Sequence, residues 1–293
     1  MGATGRGEGG EVGDGGGHVS GAVTRTHDVT FTASEARKRY VSWCRGEPDR
    51  EWACLTLLAR HAPGVAPRPL RRETDPDGTP VVVMERLDGE PLGDRPLTAA
   101  QTAALGAVVR QTYDVPLAAV LDAGLPERLA GPTTLPRDLA AWLAEPHDLT
   151  PLRDAGLVAR AVGRAREWLA TPGALPRPRL TALGVSDRKP ANALWDGVHC
   201  RLLDFEDSGR SDPAFELADQ VEHLAGRLDD VVDPRALADA VGLAPPDRER
   251  AERYRPLWAT FWLALLLPGH GGFARNPLGT TEWQAEHVLA LIG

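Results

Sequence analysis

Ser186-Asp187-Arg188-Lys189-Pro190-Ala191-Asn192-Ala193-Leu194-Trp195-Asp196-Gly197-Val198-His199-Cys200-Arg201-Leu202-Leu203-Asp204-Phe205-Glu206-Asp207 is the stretch that decides how this chain folds. It opens polar and proline-broken, carries two apolar runs around Asp196-Gly197, and turns acidic again at Asp204. An Asp-Gly pair between apolar runs predicts a hairpin with a two-residue type I′ turn, which needs positive φ at both central positions. A hairpin brings its ends together, so Asp187, Asn192 and Asp204 are expected at one rim. An Asp, an Asn and a second Asp are oxygen ligands of the kind a hard divalent cation prefers, and Lys189 can point to the same place. The bland alternative is a polar loop in which Asn and Asp only stabilise turns.

Of 33 basic residues only Lys38 and Lys189 are lysine. A coding bias that replaces lysine wherever arginine serves makes both survivors candidates for positions that need an ammonium. Lys38 lies in a β-branched and aromatic run from Phe31 to Trp43, thirteen residues before Glu51. Glu51 opens a helical stretch to Arg60, with Trp52, Leu55 and Leu58 on one face. A strand lysine paired with a helix glutamate can aim its charge at phosphates. Arg37 or Arg39 takes that place if the strand register is shifted by one, because a slip turns each side chain to the opposite face.

Ten of the first 21 residues are glycine. Such a stretch cannot bury enough apolar surface to offset its ordering entropy, so residues 1–14 are expected to be a flexible tail. Gly16 and Gly17, ahead of the alternating Val23 to Phe31 run, fit either a glycine-rich turn over phosphates or the end of that tail. Val81 to Met84 reads as a buried strand, and Glu85-Arg86-Leu87-Asp88-Gly89 as a hinge into a helical region. There Thr98 and Gln101 form a capping box for a helix to Tyr113. Pro151 to Leu169 has helical spacing, and Asp212 with Pro213 starts a helix expected to run to Leu228.

The chain has 293 residues, 42% of them hydrophobic, and a formal net charge of −8. That charge argues against general affinity for nucleic acid or anionic membrane and favours a cationic partner. Cys44, Cys54 and Cys200 have no metal-ligand spacing, and an odd number cannot all pair, which points to free thiols and a cytoplasmic location. The longest apolar run, Leu257 to Leu267, is too short to span a bilayer. Monomer and homodimer both stay open.

Asp187-Arg188-Lys189-Pro190-Ala191-Asn192 resembles the D-x-K-P-x-N loop of the protein-kinase-like superfamily. The continuation from Asp204-Phe205-Glu206-Asp207 through Gly209-Arg210-Ser211-Asp212-Pro213-Ala214 resembles the aminoglycoside phosphotransferases and related antibiotic kinases, in which an aspartate motif runs into a G-x-x-D-P-A helix. Val81 to Leu92 is similar to that family's hinge. The resemblance implies a bilobal α/β (α+β) protein-kinase-like fold, with a β-rich small lobe over residues 15–86 and a mainly helical large lobe over 87–293.

It further implies Asp187 as catalytic base, supported by Lys189. Lys38, Glu51, Glu85, Gly16 and Gly17 would contact ATP, and Asn192 and Asp204 would hold Mg2+. Where the family commonly has histidine two residues before the catalytic aspartate, this chain has Val185.

The implied activity is ATP-dependent phosphorylation of a small-molecule hydroxyl. Nine acidic residues against three arginines between Cys200 and Asp230 favour a cationic, aminoglycoside-like antibiotic, with Glu206, Asp207, Glu216 and Asp219 as its contacts. Choline, homoserine or fructosamine kinase-like activity is the alternative, as is a catalytically silent nucleotide-binding pseudokinase. A protein kinase would need a longer activation segment than the nine residues from Asp204 to Pro213.

Overall fold

Alternate side chains of Glu35–Tyr40 turn inward, and this strand anchors a four-stranded antiparallel sheet. The computed structural model describes residues 27–293, so the tail and the expected glycine turn with Gly16 and Gly17 lie outside the described residues. The sheet comprises β1 (His27–Phe31), β2 (Glu35–Tyr40), β3 (Pro69–Thr74) and β4 (Pro80–Glu85), in the order β1-β2-β4-β3. Lys38 faces Val82 of β4 and is 4% exposed. Arg37 and Arg39 point the other way, to Glu73, Asp75 and Asp77, which settles the register in favour of Lys38.

Between β2 and β3 runs α1 (Glu47–His61), burying Leu55 and Leu58. It begins four residues before the expected Glu51, because Pro48 sits in the first turn, where a missing N–H needs no partner.

After β4, β5 (Glu90–Pro91) leads to α2 (Ala99–Tyr113), whose Thr98–Gln101 capping box forms as expected. Then come α3 (Leu117–Asp122), α4 (Leu135–Ala144) and α5 (Ala155–Ala170). The last starts after the expected Pro151, since the Asp154 carboxylate accepts the Leu157 N–H and caps the helix there.

Four short strands follow: β6 (Ala182–Gly184), β7 (Ala193–Trp195), β8 (Cys200–Leu202) and β9 (Gly209–Ser211). β5, β7 and β8 form one small sheet, and β6 pairs with β9. The β7–β8 hairpin is present, but its loop has four residues, Asp196 to His199, and positive φ only at Gly197 (101°). The Asp196 carboxylate accepts the N–H groups of Val198 (2.9 Å) and His199 (2.7 Å), a side-chain turn that replaces the type I′ geometry.

The remaining elements are helices: α6 (Pro213–Glu222), α7 (Leu224–Arg227), α8 (Pro234–Val241), α9 (Pro245–Leu265), α10 (Gly271–Arg275) and α11 (Thr280–Ile292). α6 packs on α9 through Phe215, Tyr254 and Trp258, and the Trp258 indole N–H donates to the Phe215 carbonyl at 3.2 Å. A small antiparallel sheet thus stands against a larger helical part, the two-part arrangement expected from the sequence. None of the described helices is long and apolar enough to cross a membrane.

Candidate active site

The hairpin ends do meet. The Leu203 N–H donates to the Asn192 carbonyl at 2.8 Å, so the segment before β7 and the segment after β8 lie side by side. The Asn192 amide donates to the Asp187 carbonyl at 2.8 Å and lies 3.4 Å from Asp187 Oδ2. Lys189 Nζ donates to the same Oδ2 at 2.8 Å. Asp187 and Asp204 both take left-handed backbone conformations, with φ of 52° and 68°. Aspartate tolerates that region better than most residues, and such positions tend to mark functional sites. Burial alone would push the Asp187 carboxyl upward, but the contacts to His223 and Lys189 outweigh it and hold the group well below the usual carboxylate range.

On the side of the small sheet, Lys38 Nζ lies 2.6 Å from Asp204 Oδ1, 2.7 Å from Glu51 Oε2 and 2.9 Å from Glu206 Oε2. The Tyr40 hydroxyl donates to the same Glu51 oxygen and fixes it against β2. Burial works against the lysine's charge, yet the three carboxylates win and raise its pKa above the ordinary lysine value. Burial likewise pushes Glu206 up, but its contacts with His27 and Lys38 bring it down to about 2.

Glu51, Asp204 and Glu206 each present an oxygen within 4.8 Å of one another. The Lys38 ammonium sits among them, within 2.9 Å of each, and such carboxylate oxygens are also the donors a hard divalent cation prefers. Glu51 and Asp204 line a cleft of about 460 Å³, with Val29, Phe31, Ala36 and Met84 on its apolar side and Lys38, Glu85 and Asn192 on its polar side. An apolar slot ending in a cation and carboxylates suits a flat ring carrying phosphates.

The four expected acceptor contacts do not gather at one place. Glu206 faces Lys38. Asp207 faces Arg45, ahead of α1, at 3.4 Å, and burial pushes its carboxyl up. Glu216 and Asp219, expected beside a substrate, are 0% and 2% exposed. The Arg128 guanidinium donates to both at 2.8 Å, and Arg188 donates to Glu216 at 3.1 Å.

The reason is that α6 runs beneath the loop that carries Asp187. Glu216 there accepts the Val185 N–H at 3.0 Å and the Ser211 hydroxyl at 2.6 Å. Its role is to hold that loop. The Ser186 hydroxyl adds a second tie, lying 3.0 Å from the Asp207 carbonyl. These contacts anchor the loop although Val185 itself offers only an apolar side chain.

Sequence patterns missed three residues. Arg128 and Arg50 are ordinary members of an arginine-rich chain, and no spacing marks them. Arg50 Nη1 donates to the carbonyls of Glu127 (3.1 Å) and Ser208 (3.0 Å), linking α1 to the larger part. His223 falls within the helix expected to reach Leu228, but α6 stops at Glu222 and the imidazole Nε2 stands 3.4 Å from Asp187 Oδ1.

Residues 36–254 match the profile of the Phosphotransferase enzyme family. No curated protein matches the chain. Among solved structures, wild-type aminoglycoside 2′-phosphotransferase-IIIa in complex with GDP aligns with a TM-score of 0.59 at 17% identity, over 91% of this chain and 88% of that one. Spectinomycin phosphotransferase in complex with ADP and spectinomycin aligns at 0.60 and 12% identity, over 92% of each chain. A choline/ethanolamine kinase family protein from Mesorhizobium loti aligns at 0.59 and 21% identity, over 92% of this chain and 85% of that one. At these identities the likeness is one of fold.

Proposed function

The chain belongs to the phosphotransferase enzyme family, and from that premise we propose that it moves the γ-phosphoryl group of ATP to a hydroxyl of a small molecule. The observation that carries this reading is the junction of Lys38 with Asp204, 2.6 Å apart and beside Asn192 in one cleft. In this reading the small lobe spans residues 15–86 and the large lobe 87–293, with the nucleotide between them. The purine rests against Met84 to Leu87, where Glu85 belongs to the hinge. Lys38, aimed by Glu51, meets the phosphates.

Asn192 and Asp204 are the residues that would hold magnesium, with Glu206 offering a further oxygen. A bound magnesium ion would neutralise phosphate charge during transfer. Asp187, ionised at neutral pH, accepts the hydrogen bond of the acceptor hydroxyl and orients its oxygen toward the phosphorus. The P–O bond to the hydroxyl oxygen forms as the bond to ADP breaks, and the hydroxyl proton leaves by way of the carboxylate. Lys189 balances the charge of Asp187.

For the acceptor we favour a cationic, aminoglycoside-like antibiotic, whose modification would confer resistance. The net charge of −8 supports it, as does the fold shared with aminoglycoside and spectinomycin phosphotransferases. The choline/ethanolamine kinase fold relative favours a metabolic amino-alcohol as the second reading.

Magnesium-dependent ADP release from ATP, assayed with aminoglycosides, spectinomycin, choline and homoserine beside Asp187→Ala, tests the proposal. A compound that stimulates release only in the unsubstituted protein supports it and names the acceptor class. No release with any acceptor, together with no magnesium-dependent ATP binding, would sink it.

A further inference from the structure

We propose that His223 is a positioning residue for Asp187, its Nε2–H holding one carboxylate oxygen so that the group keeps the orientation in which it meets the acceptor hydroxyl. The proposal rests on the phosphotransferase reading above.

Three observations on one side chain carry it. The backbone leaves helical geometry at His223 (φ −57°, ψ 123°), which ends α6 and turns the imidazole back toward the loop that carries Asp187. The ring is buried, with its side chain 5% exposed. Its Nδ1 accepts the Ala225 N–H at 3.3 Å, capping α7, and its ring makes an edge-to-face contact with Trp262, centroids 4.5 Å apart at 64°. A nitrogen that accepts from a backbone N–H carries no proton, so the neutral ring holds its hydrogen on Nε2. That nitrogen is the one 3.4 Å from Asp187 Oδ1.

The other carboxylate oxygen already has Lys189 at 2.8 Å and Asn192 at 3.4 Å. Both of those residues sit in the same short loop as Asp187 and move with it. His223 is anchored on separate elements, α7 and α9, and so fixes the carboxylate relative to the large helical part. The Asp187 side chain is 45% exposed and its backbone is left-handed, so a second anchor limits its rotation. Small misplacements of a reacting group are costly: about 1 Å can lose about 100-fold in rate.

The rival explanation is that His223 only caps α7. Two substitutions separate the roles. His223→Asn keeps a good N-cap but is too short to reach Asp187, whereas His223→Gln places an amide N–H near the Nε2 position.

Magnesium-dependent ADP release would be measured with kanamycin, spectinomycin, choline and water as acceptors, together with thermal melts. The expected result is a kcat lowered about 10- to 100-fold in His223→Asn, with KM for ATP and the melting temperature near those of the unsubstituted protein, and a largely restored kcat in His223→Gln. Nitrogen-15 NMR of labelled histidine gives a readout besides activity: His223 should show the Nε2–H tautomer, and its resonances should shift in Asp187→Asn.

A normal kcat in His223→Asn, or an Nδ1–H tautomer, would overturn the positioning role. So would loss of kcat that tracks loss of the fold equally in both variants. Failure of the underlying reading would look different: the unsubstituted protein would release no ADP with any acceptor while the NMR coupling persisted. That outcome overturns the proposal through its premise.

Discussion

Lys38 Nζ lies 2.6 Å from Asp204 Oδ1, a contact between residues 166 apart in sequence that joins β2 of the small sheet to the segment following β8. Glu51 and Glu206 complete the set of carboxylates around the same ammonium. Because the geometry is that of a compact point charge among three acids, arginine is a poor replacement: its planar fork presents its donors differently. Under the proposed function, Lys38→Ala and Lys38→Arg should both lower kcat by about 10²–10³-fold, the usual loss of a preorganised charge, and both should raise KM for ATP. Steady-state kinetics at saturating acceptor would measure it. A Lys38→Arg variant with normal kcat would show that any cation suffices.

Asp187 carries the second prediction. Asp187→Asn preserves size but replaces one carboxylate oxygen with an amide, which cannot accept from the hydroxyl and faces either Lys189 or His223. Turnover should fall about 10²–10⁴-fold, the typical contribution of a positioned base. ATP affinity, set on the Lys38 side of the cleft, should stay within about twofold by equilibrium titration. An equal loss of affinity would mean that the carboxylate shapes the nucleotide site instead.

Glu216 and Asp219 share Arg128 but should behave oppositely. Burial pushes both carboxyls up. For Glu216 the pull of Arg128 and Arg188 exceeds that effect and lowers its pKa, while for Asp219 burial prevails and raises it. A carboxyl with a depressed folded pKa adds stability that is complete above its unfolded value, about 4.5, and that fades as pH falls toward the folded value. A raised one costs stability once pH exceeds its unfolded value, because the folded state holds the proton more tightly.

Denaturant melts at pH 7 should therefore show Glu216→Gln less stable by about 3–5 kcal/mol, since the buried Arg188 loses its counter-charge and Arg128 keeps only Asp219. Asp219→Asn should lose far less. The Glu216→Gln deficit should shrink below pH 4.5 as the native carboxyl also becomes neutral. Equal losses for the two variants at pH 7 would contradict this division.

Much of this was legible because local signals agreed. Asp212-Pro213 caps α6, Thr98 and Gln101 box the start of α2, and the apolar runs around Asp196-Gly197 form a hairpin. The hairpin sets Asn192, which contacts Asp187, beside the segment that leads into Asp204. Legibility ended where long-range packing decides a side chain's direction. Glu216 looks like a solvated acid on an amphipathic helix, and only the arrival of Arg128 and Arg188 from distant segments makes it an interior anchor. His223 has helical neighbours on both sides, and its ring's contacts with Ala225 and Trp262 leave no trace in periodicity. The turn at Asp196 departs from the type I′ form because its carboxylate captures the backbone N–H groups of Val198 and His199.

Arg50 is the last residue whose role can be tested. One of its nitrogens donates to two backbone carbonyls, those of Glu127 and Ser208, and those carbonyls belong to the larger part while Arg50 belongs to α1. A hydrogen bond involving a charged group is worth about 1.5–3 kcal/mol, so Arg50→Ala, which removes two that share one nitrogen, should lower stability by at least about 1.5–3 kcal/mol. The neighbouring residue on α1 is Glu51, which holds Lys38 at 2.7 Å. Loosening the helix should let Glu51 drift and raise KM for ATP several-fold, while the environment of Asp187, anchored from α6 by Glu216, stays intact. The signature is thus a KM effect larger than the kcat effect. If kcat fell with KM unchanged, Arg50 would act through the Ser208 segment and not through α1.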